Sequence, residues 1–387
     1  MTVTGIICEY NPLHLGHQRQ LDAIRALNGK SSGIVCLMSG NFVQRGAPAI
    51  IDKSLRAKAA VLSGADLVLE LPVTAALSSA EGFAAQGVGI LGGFCDYLCF
   101  GSESGSAEAL TSTAQALLSA DFSPVLREYL EKGLSFPAAR QGALEAMGMD
   151  ASCLSAPNDI LAVEYCKAIL AQNTNMKPLP IRRGGSYHDT AADPENPSAT
   201  AVRGLMVSGQ DWGSYVPEAA RSIFSGAAVH TLSAGERAVL AVLRSMAEDQ
   251  FAALPYGSEG LWRKLMHTCR KKSTLEEIAS EVKSKRYTRS RIDRMILCAF
   301  LGITEEMVAS PAPYCRVLAF NDRGRAILKK AKEAVPILNA GEPSDDPYWE
   351  LEKRWGGLYG LFAENHPDVP NSEENRRIYY HKETKSN

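Results

Sequence analysis

Cysteine is scarce, with nine in 387 residues, too few for the disulfide framework of a small secreted fold. Cys95 and Cys99 lie four apart and Cys269 follows His267 by two, yet no second pair stands at a zinc-site spacing. The thiols read as small buried hydrophobes, and no metal site is expected. The longest apolar stretch, 65–77, is broken by Asp66, Glu70 and Pro72 and falls short of the roughly 20 residues of a spanning helix. The opening MTVTGIICEYNPLH has no basic region followed by an apolar run and a cleavage site. A cytoplasmic protein without membrane contact is the expectation. There is no GxxxxGK[ST], which argues against a P-loop NTPase, and no repeat of fixed period. Neither charge dominates: 41 Lys and Arg against 43 Asp and Glu leave −2, so DNA is not an expected partner.

The charge is nevertheless divided. Residues 260–330 hold 16 basic and 7 acidic side chains, while the blocks 1–210, 211–259 and 331–387 are each acidic in balance. At 45% hydrophobic positions the chain can bury more than one core. In its first half, short apolar runs alternate with helical periodicity. VTGIICEY (3–10), GIVCLMSG (33–40), ADLVLELP (65–72), FCDYLCFGS (94–102) and PLPIRR (178–183) read as strands. Helices are expected from Gly16 to Leu27, from about Asp52 to Ser63, from Ser79, at 106–118, near 123–132 and at 160–170. That alternation implies parallel pairing, with ligands outside the carboxyl ends of the strands. From 233 the pattern is helical, with S-x-x-E starts at Ser233/Glu236 and Ser273/Glu276 and a helix from Thr288 to Leu301 stopped by Gly302. The expected architecture is α/β: a Rossmann-like parallel-sheet domain (1–210), a mainly α-helical basic domain (211–340) and an acidic, aromatic extension (341–387).

The most specific segment is Asn11-Pro12-Leu13-His14-Leu15-Gly16-His17, where the first strand meets its helix. Helix N-termini attract phosphate, Gly16 permits close approach, and two imidazoles three apart can donate to one phosphate as its charge grows. SGNFVQRG (39–46), with Asn41 and Arg45, follows the second strand, and Asp52-Lys53 through Arg56 opens the next helix; both are expected to face the crevice. Phe100-Gly101-Ser102-Glu103 ends the fourth strand, where backbone groups can read a base. Pro157-Asn158-Asp159 begins a helix and reads equally as a cap or a nucleotide contact. Arg182 and Arg183 close the fifth strand with guanidinium forks suited to phosphate.

NPxHxGH after a strand resembles the HxGH signature of the nucleotidyltransferase superfamily that includes class I aminoacyl-tRNA synthetases. Ser198-Ala199-Thr200-Ala201-Val202-Arg203 resembles the ISSTxxR loop of small adenylyl- and cytidylyltransferases, which holds the departing phosphates. EYNPLHLGH, SGNFVQRG, GADLVLELP, FGSE, PND, RRGGSYHD, SATAVRGLM and KRYTRSRIDRMIL, in that order, resemble the bacterial tRNA(Met) cytidine acetate ligases over nearly all of 1–320.

The resemblance implies ATP-dependent activation of acetate to acetyl-adenylate, then acetyl transfer to N4 of the wobble cytidine of elongator tRNA(Met). It implies ATP contacts from Ile7, Cys8, Glu9, Tyr10, Asn11, Pro12, Leu13, His14, Leu15, Gly16, His17, Gln18, Arg19 and Gln20, with Gly101, Asn158 and Arg183; Ser102 and Arg182 adjoin them. His14 and His17 would stabilise the α-phosphate and pyrophosphate, Ser198, Thr200 and Arg203 the departing end, and Asn41, Arg45 or Lys53 would position acetate. Mg²⁺ is expected with ATP. The basic run suits RNA: Lys271, Lys272, Lys285, Arg286, Arg289, Arg291 and Arg294, with Lys283 and Tyr287 among them. Three other readings use the same histidines or pocket: a small-metabolite nucleotidyltransferase, a carboxylate–amine ligase of the pantothenate synthetase kind, and an RNA-binding module with a nucleotide sensor.

Overall fold

The structure, a computed structural model, describes residues 1–182, 197–364 and 373–382. VTGIIC and GIVCLMS are largely apolar with many β-branched residues, so both faces of these strands demand cover. They form β1 (Val3–Cys8) and β2 (Gly33–Ser39), parallel from Val3 opposite Gly33 to Cys8 opposite Met38. β3 (Leu67–Leu71) adds in parallel to β2, β4 (Tyr97–Ser102) to the other side of β1, and β5 (Lys177–Arg182) to β4. Pro178 and Pro180 cannot donate to a ladder, and β5 lies at the sheet edge. Winding reverses between β1 and β4, which sets the ligand crevice beyond Cys8 and Ser102. Val3, Ile7, Val35 and Leu37 pack in the core of one layer, and Ile6, Ile34, Cys36 and Met38 in that of the other.

Three more strands come from the part of the sequence whose pattern indicates helices and an extension. β6 (Cys315–Asn321) pairs antiparallel with β3, and β7 (Ile337–Asn339) and β8 (Tyr379–His381) share its far side. Arg316 hides this strand by interrupting its apolar run. Its guanidinium is buried because Glu352 Oε2 accepts from Nε at 2.9 Å and the carbonyls of Asn339 and Glu342 accept at 2.9 and 2.8 Å. All three partners lie downstream, so local pattern does not reveal them.

The helices of the first half follow their signals: α1 (Leu15–Asn28), α2 (Lys53–Leu62), α3 (Pro157–Ala171) and α4 (Ala199–Val207). In the second half α5 (Arg289–Leu301) starts after Thr288 and ends at Gly302 in the left-handed region. The box expected at Ser273/Glu276 forms one residue later, between Thr274 and Glu277, because Glu276 is drawn to Arg289 at 2.7 and 2.8 Å. Glu236 likewise accepts from the Leu275 N–H at 2.8 Å, and its helix starts after Gly235 without a side-chain cap. Leu265, Ile278 and Ile292 share a core with Trp355, Tyr359 and Phe362 of the extension and with Phe42 from the sheet half. The extension therefore wraps the body, led by α6 (Tyr348–Tyr359).

Its last described segment carries charge inside. Arg376 is buried and bonds both oxygens of Asp52 at 2.9 Å, Ser54 Oγ at 2.8 Å and Glu373 at 2.9 Å. Lys53 Nζ lies 2.9 Å from Glu373 and 2.7 Å from Glu70. Burial pushes the Asp52 carboxyl up, but the Arg376 charge and hydrogen bonds outweigh it and hold Asp52 well below the usual carboxylate range. Glu373 is lowered in the same way, burial being outweighed by Lys53 and Arg376, whereas burial wins at Glu70 and raises it.

Breaking such a buried pair leaves an uncompensated charge and costs about 3 kcal/mol or more. A lowered carboxylate contributes stability that is complete above its unfolded value near pH ~4 and is lost as the pH falls below it. Arg376→Met should therefore lower the urea midpoint strongly at pH 7 and much less at pH 3, where Asp52 in the variant is protonated. Equal losses at both pH values would show that Arg376 acts through packing alone.

Candidate active site

The chain leaves β1 through Tyr10, whose φ is 44°, and a cis Asn11–Pro12 peptide, then enters α1 at His14. The two histidines build the helix start. His14 Nδ1 accepts from the Gly16 N–H at 3.1 Å, and His17 Nδ1 accepts from the His14 N–H at 3.2 Å. The rings stack at 3.8 Å, and Tyr10 lies 4.9 Å from His17. With both Nδ1 atoms accepting, each neutral ring carries its proton on Nε2. This revises the phosphate argument made from the helix end. The N–H groups of His14, Gly16, His17 and Gln18 are all taken inside the motif, the last two by the His14 carbonyl at 2.9 and 3.1 Å. On the two imidazoles the donor is therefore Nε2–H. A methyl at Gly16 would come within 2.8 Å of the His14 ring, so only glycine lets that imidazole fold over the helix start.

The second motif meets the first. Ser198 Oγ caps α4 by accepting from Ala201 at 3.0 Å, and Arg203, one turn on, donates to the Asn11 carbonyl at 2.6 Å and to Thr200 Oγ1 at 3.0 Å. Residues 192 positions apart thus share one hydrogen bond, with Thr200 exposed beside it. Asn11 in turn accepts from the Ile50 N–H through Oδ1 at 2.7 Å.

At the switch point, β4 and α3 are locked by two carboxylates. Glu103 accepts from the backbone N–H groups of Asn158 and Asp159 at 3.2 and 2.8 Å and from the Asn158 amide at 2.7 Å. Asp159 accepts from the N–H groups of Glu103 and Ser104 at 3.1 and 3.0 Å and from Ser102 Oγ. Ser102 is therefore a buried fastening, and its side chain does not read the base. Asn158 and Gly101 are half-buried, and Arg182 ends β5 exposed. Arg183 lies outside the described residues. Within 7–20, Ile7 and Leu13 belong to the core, and Gln18 donates to the Ser63 carbonyl at 2.8 Å and to Asp22 at 3.0 Å. Arg19 is exposed, and Gln20 reaches Cys99 Sγ at 3.5 Å.

Two of the three acetate candidates have other duties. Lys53 is buried between Glu70 and Glu373, so its charge is spent. Asn41 is buried, accepting from the Lys53 N–H at 2.8 Å and donating to Asp52 at 3.2 Å. Arg45 alone is exposed, at the turn of the short hairpin formed by Phe42–Val43 and Ala47–Pro48. Arg56, unassigned from sequence, collects the carbonyls of Glu9, Ser39, Gly40 and Ile51. A helical arginine near a strand end was its only signal.

The basic region is corrected in the same sense. Arg294 is buried, donating to the Gln44 carbonyl at 3.2 Å, and Arg291 donates to the Tyr256 carbonyl at 2.8 Å. Arg289 is held by Glu276 and Asp293, and Arg286 by Glu259 at 2.5 Å. Arg289 joins two helices, Arg291 and Arg294 tie α5 to the Tyr256 loop and to the hairpin, and Arg286 pairs at the exposed surface. Exposed lysines remain: Lys271, and Lys283 and Lys285, which line a surface groove of about 460 Å³ with Tyr287 and Thr288. Lys272 is partly exposed, 4.0 Å from Glu281. Among the described residues no helix is long and apolar enough to cross a membrane.

A mostly parallel sheet whose switch point carries an HxGH loop bonded to a SATAVR helix is the architecture of a nucleotidyltransferase, and the family model for HIGH nucleotidyl transferases matches residues 1–373. A tRNA(Met) cytidine acetate ligase of Clostridium acetobutylicum is 36% identical over 364 residues, 87% of this chain and 90% of that protein. The apo crystal structure of Thermotoga maritima TmcAL superposes with a TM-score of 0.90 at 31% identity, covering 99% of this chain and 100% of that one. The same protein bound with alpha-thio ATP gives 0.87 at 30% identity over the same shares. The chain belongs to the HIGH nucleotidyl transferases and, within them, to the tRNA(Met) cytidine acetate ligase family.

Replacing Asp159 with Ala leaves two N–H groups and the Ser102 hydroxyl without their acceptor, at about 1–3 kcal/mol for each group left buried. ATP affinity measured by calorimetry should fall about tenfold or more, in line with that loss. Unchanged affinity would mean that the β4–α3 fastening does not shape the nucleotide site.

Proposed function

We propose that this protein couples ATP cleavage to acetylation of RNA: acetate attacks the α-phosphorus of ATP to give acetyl-adenylate and pyrophosphate, and N4 of the wobble cytidine of elongator tRNA(Met) then takes the acetyl group, releasing AMP and a proton. The observation that carries this reading is the Arg203–Asn11 bond, which brings the two phosphate-handling motifs to one crevice. In the first half the carboxylate oxygen is the nucleophile and no general base is needed, so catalysis rests on alignment and charge stabilisation. His14 and His17 donate Nε2–H to the α-phosphate as negative charge develops. Ser198, Thr200 and Arg203 hold the outgoing pyrophosphate, and Arg45 steers acetate. Gly101 and Asn158 contact the nucleotide, with Arg182 and Arg183 beside its phosphates. Among the described residues no group of three or more His, Cys, Asp or Glu side chains is placed to hold a metal, so Mg²⁺ would arrive on the nucleotide phosphates.

The transfer half requires an unpaired base in a site closed to water, as an anticodon loop can present. Residues 211–340 serve as the RNA-binding portion through Lys271, Lys272, Lys283 and Lys285. A metabolite nucleotidyltransferase has no use for that surface.

The reading is tested by following labelled acetate, with ATP, into unmodified elongator tRNA(Met) and into a tRNA lacking a wobble cytidine. Label in the first alone is expected; label in neither, with pyrophosphate released from another acid, would sink the assignment. His14→Ala and His17→Ala should each cut pyrophosphate formation about 100-fold or more while ATP binding changes little. A proportional loss of both would make the histidines structural. The double variant Lys283→Ala/Lys285→Ala should weaken tRNA binding, reduce its salt slope by about 1 to 2 and leave ATP affinity intact.

A further inference from the structure

In the hairpin after β2 one residue, Gln44, bonds both halves of the molecule. The Gln44 N–H donates to Glu9 Oε1 at 2.9 Å, one residue beyond β1, while the Gln44 carbonyl accepts from Arg294 Nη1 at 3.2 Å, in the buried middle of α5. Next to it Gly46 has a φ of 81°, and a methyl there would lie 2.4 Å from the Arg294 backbone nitrogen and the Asp293 carbonyl carbon. The hairpin turn therefore lies directly on the helix backbone, with no room for a side chain. Its base is gripped as well. Phe42 meets Tyr359 and Phe362 edge-on at 5.9 and 6.1 Å, and Ala49 and Ile50 bond Tyr359 and Asn11. Arg294 is fixed from behind by the ring of Tyr256 at 5.1 Å, whose hydroxyl donates to the Leu77 carbonyl at 2.7 Å.

We infer that Arg294 is a positioning residue for the transfer step: through Gln44 it registers the basic helices against the end of β1, so that RNA held on one half presents its amine to an adenylate held on the other. The inference rests on the two-step reaction proposed above. Arg294 is buried, and on this reading it acts through Gln44 and not by contact with RNA or nucleotide. The transfer step needs the two halves in one fixed geometry, whereas activation uses groups of the sheet half alone, and a misplacement of about 1 Å at a reacting centre can cost on the order of 100-fold. Loss of the Arg294–Gln44–Gly46 contact should separate the two half-reactions.

The experiment compares wild type with Arg294→Met, Arg294→Lys and Gly46→Ala in three measurements: acetate-dependent ATP–pyrophosphate exchange without RNA, acetyl transfer at saturating elongator tRNA(Met), and tRNA affinity by filter retention. Arg294→Met should keep exchange within about twofold and lose transfer by about tenfold or more, with tRNA affinity unchanged; Gly46→Ala, which also disturbs the neighbouring Arg45, should lose transfer by a larger factor than exchange. Arg294→Lys, which retains one donor for the Gln44 carbonyl, should recover part of the transfer rate. A parallel fall in exchange and transfer would reduce Arg294 to a structural role. Weakened tRNA affinity in step with transfer would make it an RNA contact; either result overturns the inference. Transfer left at the wild-type rate in both variants would overturn it too. Failure of the proposed function shows differently, because wild type itself would then transfer no label.

Discussion

Parallel strands ending side by side leave backbone carbonyls pointing into the crevice where substrate must bind, and each needs a donor if water is to be kept out. Arg56 meets that need in this protein. From the first turns of α2 its guanidinium reaches the carbonyls of Glu9, Ser39, Gly40 and Ile51, joining the ends of β1 and β2 to the loop that returns from the hairpin. The HxGH turn, the hairpin and the start of α2 are positioned by this one buried side chain. Burial lowers the pKa of the guanidinium, with Tyr359 and Asp52 among the groups opposing the shift, and arginine retains its charge under such a load where lysine would not.

The same economy governs the charges around it. Lys53, Glu70, Asp52, Glu373 and Arg376 form a buried network between the start of α2, the end of β3 and the last described segment of the chain. At the opposite end of the sheet Asp66 is fully buried and accepts from the Ile34 N–H, Arg25, Asn321 and Arg323. One network fastens the extension to the site end and the other fastens β6 to the far end. The crevice itself carries the imidazoles of the HxGH turn, with the exposed Arg45 and Arg182 nearby, a suitable setting for a polyphosphate.

The residues proposed to handle phosphate were legible because their pattern is local. A strand, a proline-containing turn, two histidines around a glycine and a helix can be read without knowing the fold, and so can Ser198, Thr200 and Arg203 once the first motif is in hand. What misled was equally local. Polar and charged residues beside a motif read as ligand-facing, yet Lys53 and Asn41 are consumed inside, and Arg289, Arg291 and Arg294 in the basic run bind their own chain. A charge in sequence carries no sign of whether a counter-charge several hundred residues away will cancel it.

Sequence alone determined the alternation of strands and helices through residue 182, the place of the HxGH turn at the head of α1, the family, and the basic character of the second half. Periodicity and capping are short-range effects, and they survive in any fold that contains them. Tertiary structure alone decided that β6, β7 and β8 complete the sheet, that the extension's Arg376 lies against Asp52, which donors the histidines present, and which cations stay exposed. Most of these depend on desolvated polar groups finding partners far away in the chain, and burial is a property of the assembled molecule.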